Sequence, residues 1–294
     1  MPLAPLLATL AAAALAVPGA DVDHPADDRR MFQQLEAATT ALAEQGPSAL
    51  PKAARLEQCR RPTAAGLELA ARAGVAGAPL AGEEIYRRAA RASVLIGSTY
   101  KCDKCTKWHH TLASGFAVSA DGAIATNHHV AAGENGDAMG VMTADGRFFP
   151  VVEVLATNKA HDVALLRVAA KDLAYLPLRD DAPAGTPIRC YSHPANTFGC
   201  LSEGVVARYC RMNEPEREGA VFMQITADYA RGSSGGPILD PFGNAIGMVA
   251  STSPVFTSPV AAAGKDAKPP TPSQQMVRHN CATARAILDL ARPR

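Results

Sequence analysis

Two textures divide the chain. Up to about residue 92 the apolar positions recur at helical spacing or not at all. Beyond it they fall in short alternating or continuous runs between turns. Arg29 to Ala43 has a helical apolar rhythm, whereas Leu67 to Ala76 is Ala-rich and broken by Gly74 and Gly77. Glu83-Glu84 followed by Arg87-Arg88 places opposite charges four apart, which predicts a short surface helix leading into the next domain. Ser93–Tyr100, Leu112–Ser119, Ala123–Thr126, Phe148–Leu155 and Val163–Val168 then read as strands, with Asp121-Gly122 and Asp145-Gly146 as hairpin turns. A linker rich in Asp, Pro and Gly at 180–186 introduces a second series: Pro187–Tyr191, Gly204–Tyr209, Val221–Thr226, Gly236–Leu239 and Ala245–Ala250. Many short strands between turns predict an all-β barrel or sandwich, and two series predict two barrels.

The ends read differently. Residues 1–20 are apolar and followed at once by Asp21, Asp23 and Asp27, the pattern of a secretory signal peptide cut after Ala20. Ser253 to Pro272 is rich in Pro, Ala, Ser and Thr, a low-complexity loop. Gln274 to Ala291 predicts a closing amphipathic helix, with Met276, Val277, Cys281, Ala284, Ile287 and Leu288 near one face. The expected organisation is a signal peptide over 1–20, a helical extension over 21–88 and barrels over 89–178 and 179–255. The loop then covers 256–273 and the C-terminal helix 274–294.

A formal net charge of +1 over 294 residues gives no nucleic-acid footprint, and no segment after residue 20 approaches membrane-spanning length. Seven cysteines suit an exported protein, periplasmic or extracellular, in which disulfides persist; an odd number leaves at least one unpaired. Cys102-Asp103-Lys104-Cys105 fits a local disulfide at a hairpin tip, or a metal pair with His109 or His110 as a further ligand. Cys190 and Cys210 lie in successive strand-like runs that would let them face each other.

Three segments carry the chemistry: Thr126-Asn127-His128-His129-Val130, His161-Asp162-Val163-Ala164-Leu165-Leu166 and Gly232-Ser233-Ser234-Gly235-Gly236-Pro237. A serine hydroxyl is a poor nucleophile until a base takes its proton, and a histidine is a better base when a carboxylate fixes its tautomer. Glycines around the serine let substrate approach and let backbone N–H groups point at a developing oxyanion. Such chemistry calls for no cofactor and no metal. Asp162 stands before a buried apolar run, where a carboxylate needs a strong partner. From the residues alone His128 and His129 compete for the base, and His161 sits beside the acid.

These segments, together with Ser114-Gly115-Phe116-Ala117-Val118-Ser119 and Gly243-Asn244-Ala245-Ile246-Gly247-Met248-Val249, resemble the trypsin-like serine peptidases of the HtrA (Deg) type over about residues 90–252. The resemblance implies a chymotrypsin-like double β-barrel, here with a helical N-terminal extension and a C-terminal helix. It selects His129 as base, Asp162 as its orienting acid and Ser234, within Gly-x-Ser-Gly-Gly, as nucleophile. It implies an oxyanion hole of backbone N–H groups from Gly232 and Ser234 with that of Ser233 between them. Peptide would add along Ala250-Ser251-Thr252 as an extended strand, and Asp228, six residues before Ser234, takes the place of a pocket acid or a loop support. HtrA-type proteins usually continue into PDZ domains, and the 42 residues after Thr252 leave no room for one beside the closing helix. The expected activity is that of a serine endopeptidase acting on polypeptide substrates. The other class compatible with the sequence is a catalytically silent trypsin-fold binding protein; oligomeric state is not legible.

Overall fold

A computed structural model describes residues 25–44, 50–64, 66–72, 77–133, 136–212, 214–257 and 273–292. The expected signal peptide and most of the expected low-complexity loop lie outside these residues. The N-terminal part contributes α1 (Asp28–Glu44), α2 (Lys52–Gln58), β1 (Ala71–Arg72) and α3 (Gly82–Ala92). Buried Leu35, Thr39 and Leu42 recur at i, i+4 and i+7 along α1, the stripe that its apolar rhythm predicts. In α3 the Glu84 carboxylate holds Arg87 and Arg88 at 3.0 and 2.9 Å. Within the Ala-rich stretch, Ala71–Arg72 is extended instead, paired in parallel with β8 (Leu178–Arg179).

The first barrel comprises β2 (Ser93–Lys101), β3 (Trp108–Ala117), β4 (Ala123–Thr126), β5 (Ala138–Thr143), β6 (Phe148–Asn158) and β7 (Val163–Val168). A short helix, α4 (His128–Ala131), separates β4 from β5. The ring closes in the order β2-β3-β4-β7-β6-β5. Its interior is filled by small and branched side chains such as Val94, Ile96, Ile124, Val141, Val154 and Leu166. Packing is close enough that Gly140 leaves room for the Phe148 ring, which a Cβ would meet at 2.1 Å.

The second barrel takes β9 (Pro187–Ser192), β10 (Cys200–Arg211), β11 (Val221–Ile225), β12 (Pro237–Leu239), β13 (Ala245–Phe256) and β14 (Gln274–Thr283). The order β13-β12-β9-β10-β11-β14 becomes a ring because β14 also pairs with β13. This corrects the helix expected over Gln274–Ala291. Its first ten residues are a strand, and only Ala284–Asp289 forms a helix, α5, capped by the Thr283 hydroxyl accepting the Ala286 N–H. Pairing on both edges, to β11 and to β13, overrides the periodicity of so short a segment. Gly247 allows that approach: a Cβ there would lie 2.4 Å from the Ala282 carbonyl.

Between the barrels, Phe116 and Leu165 of the first meet Tyr191 and Met248 of the second, with Ile85 of α3 and Ile287 of α5 in the same apolar cluster. The N-terminal helices therefore belong to the core rather than trailing from it. All seven cysteines are free thiols. Cys190 pairs with Ser202 and Cys210 with Phe222, so the two do not face each other.

Candidate active site

β4 and β7 are adjacent, with Thr126 opposite Ala164, so the residue turning out of β4 and the one turning into β7 meet at one end of the first barrel. His129 follows β4 on α4 and Asp162 precedes β7. The His129 Nδ1 lies 2.9 Å from Asp162 Oδ2 and 3.1 Å from Oδ1, and the His129 backbone N–H donates to Oδ1 at 3.1 Å. Asp162 is 4% exposed, adopts φ 55°, and its carbonyl accepts from Asn127 Nδ2 at 2.9 Å. A non-glycine residue in that left-handed region is strained, and two partners hold it there.

Ser234 comes from the loop between β11 and β12. Its Oγ lies 3.1 Å from His129 Nε2, opposite the nitrogen that meets Asp162. The neighbouring Ser233 is fully buried and its Oγ accepts from Ser192 Oγ at 3.0 Å, turned away from the histidine. The glycines have separate reasons. Gly235 has φ +86° and presses on the first barrel, where a Cβ would stand 2.1 Å from the Ser114 carbonyl. Gly232 has φ +97°, and a Cβ there would stand 2.7 Å from the His193 carbonyl.

The structure brings together His129, Asp162 and Ser234, and leaves out the other candidates. His128 is half-buried, its Nδ1 lacks a partner among the described residues, and burial holds its pKa below the usual histidine value. The His161 pKa is likewise lowered by burial, and its Nδ1 is buried without a hydrogen-bond partner among the described residues. The N–H of Ser233, expected to join the oxyanion hole, donates instead to the Ala230 carbonyl at 3.1 Å. Those of Gly232 and Ser234 meet no hydrogen-bond acceptor among the described residues. The Arg231 carbonyl is drawn aside by the Ala195 N–H at 2.7 Å.

Around this centre lies a cleft cavity of about 270 Å³ lined by His129, Arg231, Gly232, Ser234 and, from β3, Thr111–Ala113. A larger groove, about 880 Å³, is lined by Asp228, Tyr229, Arg231, Thr252, Arg278 and His279. The Asp228 side chain is 93% exposed and 3.7 Å from His279 Nε2, so it borders this groove without being enclosed. Ala250 falls at a register shift between Val249 and Ser251, unpaired with β14. Ser251 and Thr252 pair with Asn280 and His279, and the Ser251 carbonyl accepts from the Tyr229 hydroxyl at 2.9 Å.

Two contributors escaped sequence reasoning. Ser114 clasps the barrels: its N–H donates to the Ser234 carbonyl at 2.8 Å and its Oγ to the Gly232 carbonyl at 2.9 Å. Arg55 of α2 is buried, with burial lowering its pKa, and donates to the carbonyls of Ala131, the last residue of α4, and of Gly133 and Gly136 beyond it. The signal for Ser114 was a lone hydroxyl in a buried apolar strand; for Arg55 the sequence carries none.

Residues 113–248 match the trypsin-like peptidase domain. A probable periplasmic serine endoprotease, DegP-like, of Pseudomonas fluorescens is 34% identical over 140 residues, covering 47% of this chain and 29% of that protein. The serine endoprotease DegS of Haemophilus influenzae is 28% identical over 142 residues, covering 47% and 41%. The chain thus spans well under half the length of these curated relatives. Among solved structures, the HtrA-type protease AlgW with decapeptide superposes with a TM-score of 0.54 at 21% identity, covering 71% of this chain and 66% of that one. That likeness bears out the double-barrel fold.

Proposed function

We propose that this chain, which carries a trypsin-like peptidase domain and has DegP-like and DegS relatives, is a serine endopeptidase working through an acyl-enzyme. The observation that carries the reading is the run Asp162 Oδ2, His129 Nδ1, His129 Nε2, Ser234 Oγ, with separations of 2.9 and 3.1 Å at its two hydrogen bonds. With Nδ1–H donated to the carboxylate, the Nε2 lone pair is left to accept the Ser234 proton. The Oγ then attacks the scissile carbonyl carbon. The oxygen that becomes negative is stabilised by the N–H groups of Gly232 and Ser234, a hole of two donors, since that of Ser233 is committed elsewhere. His129 passes its proton to the leaving amine, and water, activated the same way, releases the acid.

Polypeptide would lie extended beside Ala250-Ser251-Thr252, where the unpaired Ala250 leaves backbone groups for a substrate strand. Asp228, open to solvent and beside His279, would serve as an acid at the rim of the groove. The DegP-like relative of Pseudomonas fluorescens is a probable periplasmic protein, which favours exported substrates here. A serine-directed fluorophosphonate probe tests the reading. Labelling is expected in the wild type and in Ser233→Ala, and none in Ser234→Ala. A folded wild-type protein that stays unlabelled and cleaves no unfolded protein would leave the binding-protein alternative standing.

A further inference from the structure

The tip of the β2–β3 hairpin gathers a second cluster of reactive side chains outside the catalytic centre. Cys102 Sγ and Cys105 Sγ are 3.5 Å apart, and His109 Nε2 is 3.1 Å from each. The three donor atoms lie within 4.8 Å of one another. A disulfide would need the sulfurs at about 2.05 Å, and nothing in that bond would draw an imidazole nitrogen to a position equidistant from both. A tetrahedral zinc ion with Zn–S near 2.3 Å and Zn–N near 2.0 Å separates its donors by about 3.8 Å for S···S and about 3.5 Å for S···N. The triangle here is a few tenths of an ångström tighter, a gap that small side-chain rotations close.

The surroundings are those of a prepared ligand set. Asp103 and Lys104 turn the chain between the two cysteines, which brings both sulfurs to the His109 ring. The His109 ring is stacked on Tyr100 at 5.3 Å, and its carbonyl accepts from Thr99 Oγ1 at 3.1 Å. The next residue back, Trp108, donates from Nε1 to Glu44 of α1 at 3.1 Å.

From this geometry we infer that Cys102, Cys105 and His109 form a zinc site at the hairpin tip. Binding displaces the two thiol protons to solvent, so two thiolates and a neutral imidazole leave the bound ion without net charge. Three protein ligands leave the fourth position to water or to a donor from another molecule. The ion clasps the two arms of the hairpin at the point where β3 sets out toward the cleft, two residues before Thr111 enters its wall. It takes no part in the hydrolytic steps, and the assignment stands or falls apart from them.

The test is metal content of the full chain, isolated without chelator from zinc-supplemented medium. About one zinc per chain is expected, falling at least tenfold in Cys105→Ser and in His109→Ala, with Cys210→Ser as the control that retains it. Cobalt titrated into the metal-free wild type should give a sulfur-to-cobalt charge-transfer band, a readout that needs no variant to fold. A Cys102–Cys105 disulfide in the protein as isolated, zinc content unmoved by both substitutions, or cobalt spectra without the sulfur band would overturn the assignment.

Discussion

The Gly232 backbone sits against the His193 carbonyl so closely that a Cβ would come within 2.7 Å of it, at a φ of +97°. No rotamer change relieves that contact, because the obstacle is backbone. An alanine there must move its peptide, and with it the N–H proposed to face the oxyanion.

Gly232→Ala is therefore expected to lower kcat by about 10²–10³-fold with little change in KM, the size of effect associated with loss of one oxyanion donor. Steady-state kinetics on a peptide ester, with circular dichroism to verify folding, checks it. An alanine variant of near-normal kcat would mean that this N–H is not part of the hole.

Arg55 reaches from α2 to three carbonyls at and beyond the C-terminal end of the His129 helix. Removing the guanidinium leaves buried acceptors without donors, which costs about 3 kcal/mol or more. Arg55→Ala should lower the urea midpoint strongly, and Arg55→Lys should restore only part, since an ammonium lacks the planar fork that spans several acceptors. Equal stability of all three proteins would detach the N-terminal segment from the catalytic scaffold.

Leu35 makes the same point through packing. It is 1% exposed and fills the notch left by Gly97 on β2, where a Cβ would meet its Cγ at 2.8 Å. Leu35→Ala is expected to cost about 2–5 kcal/mol in denaturant unfolding. A change under half a kcal/mol would show that α1 docks loosely.

How much of this was legible depended on range. Strand runs such as Val163–Val168 were readable because alternation and β-branching are local, and the three motif segments because their chemistry demands particular residues in a row. β5 (Ala138–Thr143) was not, since Gly140 and two methionines give no strand signature and the pairing with β2 and β6 decides it. The Gln274–Thr283 strand read as helix because its closing role is set by partners some 18 to 60 residues away. In the site, Ser234 and His129 were legible through register, whereas the commitment of the Ser233 N–H to Ala230 is a turn geometry that the letters Gly-Ser-Ser-Gly do not disclose.

Asp162 Oδ2 lies 2.9 Å from His129 Nδ1 and Oδ1 accepts the His129 backbone N–H, contacts that in the proposed mechanism fix the tautomer. Asp162→Asn keeps the volume and presents an amide to Nδ1, favouring the tautomer whose Nε2 carries the proton. A fall in kcat of about four orders of magnitude is expected with substrate affinity nearly retained. A variant within tenfold of the wild type, chemistry being rate-limiting, would remove Asp162 from the mechanism.

His193 gives the fold a sensitivity to acid. It is 7% exposed, its Nδ1 accepts the Gly199 N–H at 3.0 Å, and its Nε2 has no partner among the described residues. Burial pushes its pKa down to about 3, against about 6.5 in an unfolded chain. Between those values the unfolded state binds a proton that the folded state refuses. The stabilising contribution is therefore whole above about pH 6.5 and is lost as pH falls toward 3, by at most about 1.4 kcal/mol per pH unit. Because the His193 carbonyl abuts Gly232 and the Ala195 N–H holds the Arg231 carbonyl, His193 is packed against the loop that carries the proposed oxyanion donors. His193→Gln keeps an acceptor for Gly199 and has no proton to gain. Its unfolding free energy should fall less steeply between about pH 6.5 and 4.5 than that of the wild type, by close to one proton in the slope. Parallel slopes for the two proteins would show that His193 is not the group that titrates on unfolding.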